Sequence, residues 1–208
     1  MEPRRPKVPE YTLEVFADPT CVKDIVKAIL HTIFFHRYFI PIVPLTRDLL
    51  DQTLPAIDDV DLETLIDQRA TSLVRAIERP TDMPTVHPGG RSGYNSGSNA
   101  KSGRAQIAVQ FFEKKRKKAY FFGKGDEEIC WEQWTLDITC ATPRTESDRI
   151  KVRSAMEKSL QKTCLKIINI VNRDKDHIPP ITGLDNPFPY QIVVNPRTEN
   201  WGARMGIF

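Results

Sequence analysis

Two hydrophobic rhythms alternate along this chain, and their order limits the folds open to it. A period of two marks a strand; a period near 3.6 marks a helix. Tyr11–Ala17 alternates, with Tyr11, Leu13 and Val15 on one face and Thr12, Glu14 and Phe16 on the other. Asp18-Pro19 then predicts a helix start, an N-cap followed by proline at the first helical position. Behind it Val22, Ile25, Val26, Ile29, Leu30 and Ile33 fall at helical spacing, in a stripe broad enough for deep packing. A second amphipathic helix is expected from Asp61 to near Ile77. A long third one is expected from Thr145 to near Asn172. It opens on Thr145-Glu146-Ser147-Asp148, a capping-box pattern, and carries Val152, Met156, Leu160, Cys164, Ile167, Ile168 and Val171 as its apolar stripe. Gln106–Phe112 and Trp131–Cys140 return to period two, and Tyr190–Val194 is a last short strand.

The order is thus strand, helix, helix, two strands, long helix, strand. Two strands in succession imply an antiparallel sheet packed against helices, an α+β fold and not a doubly wound parallel one. The chain has 208 residues, enough for one domain with a real core. Residues 1–10 are expected to form a disordered arm, 11–194 a single domain, and 195–208 a C-terminal tail containing Trp201 and Phe208. Within the domain, 80–104 is rich in Gly, Ser, Pro and Asn without periodicity and reads as a mobile loop. Residues 113–130 read as a long hairpin arm or finger, since pairing can continue past Phe112. Residues 47–67 form an acidic stretch read as a solvated face.

Several function classes are excluded. No window approaches the run of about 18 apolar residues that a transmembrane helix needs. The basic, proline-rich start has no apolar signal core behind it. Cys21, Cys130, Cys140 and Cys164 are far apart, without a Cys-x-x-Cys pair, and read as reduced, mostly buried thiols of a cytosolic protein. His31 and His36 lie on one helix but point about 140° apart, so they do not chelate one metal. His87-Pro88-Gly89-Gly90 lacks an accompanying Gly-x-Ser-x-Gly; Gly123-Lys124-Gly125 lacks the spacing of a phosphate loop; the acids at 58–61 lack that of a calcium loop. No catalytic, metal or cofactor site is expected.

The positive signal lies in the finger. Lys114, Lys115, Arg116, Lys117 and Lys118 form an unbroken basic run, followed by Tyr120, Phe121 and Phe122. Cations beside exposed rings suit an anionic membrane surface, each worth about 1 kcal/mol there. The same run also fits a nuclear signal, a nucleic-acid patch or a solvated hairpin tip. The net charge of +3 is too small to favour nucleic acid, and none is expected as a partner.

The segment FFEKKRKKAYFFGKGDEEICWEQWTLDI (111–138) resembles the centre of the autophagy-related protein 101 family, with its lysines, aromatic finger and Trp131-Glu132-Gln133-Trp134 strand. The stretch from Ala28 to Arg37 resembles the first helix of that family, and Cys164 to Asn172 the end of its long helix. The resemblance covers roughly residues 11–194 outside the low-complexity loop. It implies a HORMA domain without enzymatic activity, a subunit of the autophagy-initiation kinase complex that pairs with and stabilises the HORMA domain of autophagy-related protein 13. It further implies a cytoplasmic protein recruited to the preautophagosomal structure. Related HORMA proteins pair largely through the long third helix. His31, His36 and Arg37 fall in the matching first-helix stretch and are carried over as partner-interface candidates. The family finger is Trp-Pro-Phe; here Tyr120 and Phe122 match its two rings, without the indole or the proline.

Overall fold

A computed structural model describes residues 8–78, 103–116, 126–181 and 188–196. The low-complexity loop, the finger tip with Lys117, Lys118, Tyr120, Phe121 and Phe122, and the tail with Trp201 and Phe208 lie outside the described residues. The elements are β1 (Glu10–Ala17), α1 (Val22–Arg37), β2 (Pro44–Leu49), β3 (Gln52–Ile57), α2 (Val60–Glu78), β4 (Gly103–Arg116), β5 (Asp126–Cys140), α3 (Glu146–Arg173) and β6 (Tyr190–Val194).

Helix α1 is the centre of the fold. It packs against the β2–β3 hairpin and against both other helices, and its Phe34 meets Phe111 of β4 and Tyr190 of β6. That explains its broad stripe: Val22, Ile25, Val26, Ile29, Leu30, Ile33 and Phe34 are all buried. Burying one such side chain fully stabilises by about 1.5–3 kcal/mol, so this helix is a large contributor to the core. Its start differs from the sequence expectation. The helix begins at Val22, a turn after Asp18-Pro19. The capping chemistry is nevertheless supplied by Asp18, whose carboxylate accepts from the N–H groups of Thr20 and Cys21, both at 2.9 Å. Helix α3 begins as expected, with a reciprocal capping box between Thr145 and Asp148.

The main sheet has the order β1-β5-β4-β6. Strand β4 pairs antiparallel with β5 and with β6, as consecutive strands imply. Strand β1 joins β5 in parallel, so the sheet is mixed. Leu13, Val15, Val109, Phe111, Trp134, Leu136 and Ile138 are buried in the core. The free edge of β1 is closed by α3 and not by another strand. Ser159 Oγ accepts from Phe16 N–H at 3.0 Å, Thr163 Oγ1 donates to Glu14 C=O at 2.7 Å, and Lys166 Nζ donates to Thr12 C=O at 2.7 Å. Helix α3 thereby satisfies backbone groups that would otherwise invite a foreign strand.

The β2–β3 hairpin was not expected from the sequence. Leu49 pairs with Gln52, leaving Leu50-Asp51 as a two-residue turn with φ of 49° and 57°. Such turns favour Asn-Gly, and Leu-Asp carries no such signal. Leu50 is held in this costly conformation by packing against the core. The whole is an α+β, HORMA-like fold. No helix of the described residues is long and apolar enough to cross a membrane.

Candidate interaction site

The Trp131-Glu132-Gln133-Trp134 stretch is held together by a β-bulge. The β4–β5 register shifts between Phe111 and Phe112, which face Glu132 and Cys130, so Trp131 is the extra residue. Its ring lies 5.7 Å from Phe111 and 5.1 Å from Phe188. Glu132 is 0% exposed. Arg37 Nε lies 2.9 and 3.0 Å from its two oxygens, His177 Nε2 donates to Oε2 at 2.7 Å, and Trp134 Nε1 donates to Oε1. Arg37 Nη2 also donates to the Asp174 C=O at 3.1 Å, and Tyr11 OH donates to the Asp174 carboxylate at 3.0 Å. Burial, with Asp174 alongside, pushes the Tyr11 hydroxyl up to about 12; the Arg173 hydrogen bond holds Asp174 down to about 2. The Glu132 carboxylate thus joins the end of α1, β5 and the segment after α3, and Arg37 and Tyr11 extend the network through Asp174 to β1.

This places the sequence-derived interface candidates. Arg37, 3% exposed, serves Glu132. His31, 1% exposed, donates from Nε2 to Glu63 at 2.7 Å, and its Nδ1 has no hydrogen-bond partner. Burial lowers the His31 pKa despite that carboxylate, keeping the ring neutral. His36 is half-buried, its pKa lowered by burial and by Arg37. Both His31 and Arg37 are therefore committed to internal contacts.

Part of the charge in the acidic stretch is also paired internally, through Glu63, Asp67 and Asp51. Glu63 meets Lys27 at 2.9 Å and Arg47 at 2.7 Å; burial opposes its ionisation, but these hydrogen bonds hold it down to about 2. Asp67 meets Lys23 and Lys27, and Asp59 accepts from Leu62 N–H and Tyr38 OH. Likewise the basic run is opposed across the hairpin. Lys114 pairs in register with Glu128, Lys115 with Glu127 and Arg116 with Asp126. Opposite charges on facing strand positions favour the ladder, and Lys115 Nζ also meets Glu113 of its own strand at 3.1 Å.

The outward surface of α3 has a different character. A helix turns about 100° per residue, which sorts its exposed residues into two stripes. One stripe contains Ile150, Leu165 and Ile168, exposed by 66%, 53% and 37%, with the neutral Gln161 and Asn172. The other, next to β1, contains Lys158, Lys162, Lys166 and Arg173, all exposed. Ile168, expected in the buried stripe from its spacing, is 37% exposed. Spacing alone did not show which side of a long helix the sheet takes.

Nothing here is arranged for covalent chemistry. Burial pushes the Cys130 and Cys164 thiols up to about 11, and all four cysteines are free. Among the described residues there is no group of His, Cys, Asp and Glu that could hold a metal ion.

Residues 14–185 match the family model for autophagy-related protein 101. The chain belongs to the autophagy-related protein 101 family. The chain is 27% identical to autophagy-related protein 101 of Arabidopsis thaliana over 193 residues, 83% of this chain and 80% of that protein. It is 28% identical to the Schizosaccharomyces pombe protein of the same name, covering 92% and 90%. Against the Homo sapiens protein the identity is 29%, covering 85% and 78%. The role of the autophagy-related protein 101 family lies in autophagy, and the family is not one of enzymes.

Proposed function

We propose that this chain is a non-catalytic scaffold subunit of the autophagy-initiation kinase complex, pairing with the HORMA domain of autophagy-related protein 13 and stabilising it. The reading includes a cytoplasmic protein that reaches the preautophagosomal structure, where Tyr120-Phe121-Phe122 recruits downstream factors. The observation that carries it is the apolar stripe of α3, on a chain of this family. Ile150, Leu165 and Ile168 stand exposed along one ridge of a well-capped helix. Such a row marks a contact surface.

Co-expression with the partner HORMA domain tests it. The wild type should co-elute with the partner at one to one. Ile150→Asp/Ile168→Asp should lose at least about tenfold in affinity, because an unpaired charge would be buried in the interface. A wild-type chain that elutes alone beside a folded partner would overturn the reading.

A second reading, a peripheral membrane module acting through 114–122, draws on the paired arm that carries the basic run out to Arg116. Since Lys114 and Lys115 pair in register with Glu128 and Glu127, its affinity should rest on the aromatic tip more than on these lysines. Tyr120/Phe121/Phe122→Ala should abolish sedimentation with anionic liposomes, and Lys114/Lys115→Gln should change it little. Unchanged pelleting of the aromatic variant would exclude it.

A further inference from the structure

The basic stripe of α3 does not stand on an open surface. It forms one wall of a trough of about 770 Å³ whose other wall is the start of β1, with Glu10, Tyr11 and Thr12. Leu165 lies within it. A second depression of about 320 Å³ shares Lys162 and Lys166 and continues along β1 to Phe16. Four cations line this path: Lys158, Lys162, Lys166 and Arg173. Lys166 is tethered to the Thr12 carbonyl and Arg173 to Asp174. Lys158 and Lys162 have no carboxylate within ion-pair distance among the described residues. Like charges four residues apart repel and weaken a helix. Three lysines at 158, 162 and 166 on one ridge are therefore a cost to the isolated chain, which an anionic occupant would reverse.

We infer that the trough between α3 and β1 is a docking groove for an extended acidic segment of a partner protein, with one apolar side chain seated against Leu165. Its dimensions favour a peptide over a headgroup. From Lys158 to Arg173 the helix rises about 22 Å. That length matches about seven residues of extended chain. One phosphate-bearing headgroup reaches two of the four cations at most. A bilayer surface is flat and does not enter a concavity between a helix and a strand. The straight wall formed by β1 runs along the path of an extended occupant, and Leu165 amid the lysines supplies the apolar contact that a purely ionic site lacks. The trough shares Gln161 and Leu165 with the apolar ridge, but its four cations lie on the other stripe, so the acidic occupant is recognised by residues that the ridge of Ile150 and Ile168 does not use.

Fluorescence anisotropy on the full-length chain tests the inference, with a labelled peptide of Glu and Asp residues carrying one central Leu as probe. The wild type should bind it saturably, and added salt should weaken binding, since surface charges are screened within about 8 Å at physiological ionic strength. Lys158→Glu/Lys162→Glu should weaken it at least about tenfold, as repulsion replaces attraction at two contacts. Both lysines are exposed and without ion partners, so the variant should keep the wild-type circular dichroism and melting temperature. Lys114→Gln/Lys115→Gln and Ile150→Asp/Ile168→Asp should leave binding unchanged. No saturable binding by the wild type, or a loss caused by the finger variant instead, would overturn the assignment. Vesicles of phosphatidylcholine and phosphatidylserine that pellet the wild type but not Lys158→Glu/Lys162→Glu, with no peptide binding, would also overturn it, in favour of a lipid surface.

Discussion

Glu132 shows how much one residue can hold. Its carboxylate is closed off from water and takes hydrogen bonds from Arg37, His177 and Trp134. A buried ion pair contributes little net stability compared with an apolar pair of the same shape, but breaking it by removing one partner strands a charge. Glu132→Ala is therefore expected to cost about 3–5 kcal/mol in urea unfolding, because Arg37 stays buried without its counter-ion. The double variant Arg37→Met/Glu132→Ala should recover part of that loss, and equal losses in both would show that the pair is not the source. In the sequence, Glu132 was one letter of a family motif. Nothing nearby in the chain named Arg37 or His177 as its partners.

At the scale of elements, α3 performs two tasks with two faces. Its inner face supplies Ser159 and Thr163 to the edge of β1, and Lys166 reaches the same edge from the outward basic stripe. Thr163→Val keeps the shape and removes the hydroxyl, leaving the Glu14 carbonyl without its partner. It is expected to lose about 1–3 kcal/mol of stability. Hydrogen exchange should show faster opening of β1 than of β4, and unchanged exchange in β1 would count against edge closure by α3. The β2–β3 hairpin is the opposite case. Leu50 has no intrinsic bias to positive φ, so tertiary contacts hold the turn: Leu50 packs onto the core, Thr53 Oγ1 donates to Asp48 at 2.6 Å, and Gln52 Nε2 donates to the Glu157 C=O at 2.8 Å.

For the molecule as a whole, acid is the expected weakness. Glu63 titrates near 2 in the fold against an ordinary 4.5, so the stability it contributes is complete above pH 4.5 and is lost as pH falls toward 2. Asp174, ordinarily 3.8, acts in the same sense. The His31 pKa lies below its ordinary 6.5, because burial favours the neutral ring; the unfolded chain takes up that proton first, so stability begins to fall below pH 6.5. The melting temperature should accordingly decline on acidification from pH 6.5, most steeply between 4.5 and 2. Glu63→Gln should flatten that steep limb, and an unaltered limb would show that other carboxylates govern it.

The sequence alone determined what is local. Period-two and period-3.6 patterns placed β1, β4, β5, β6 and the three helices, and the Thr145–Asp148 box placed the start of α3 to the residue. Consecutive strands implied the antiparallel β4–β5 pair, and three stretches in order indicated the family. Each of these signals sits within a few residues of what it specifies. Only the tertiary structure decided that β1 runs parallel to β5, that Glu132 is bound by Arg37, that acids face the basic finger across the strand, and that α3 divides into an apolar ridge and a basic trough. Those are relations between residues far apart in the chain. A sequence lists the charges and the apolar side chains, but their fields and contacts exist only once the backbone has set the distances.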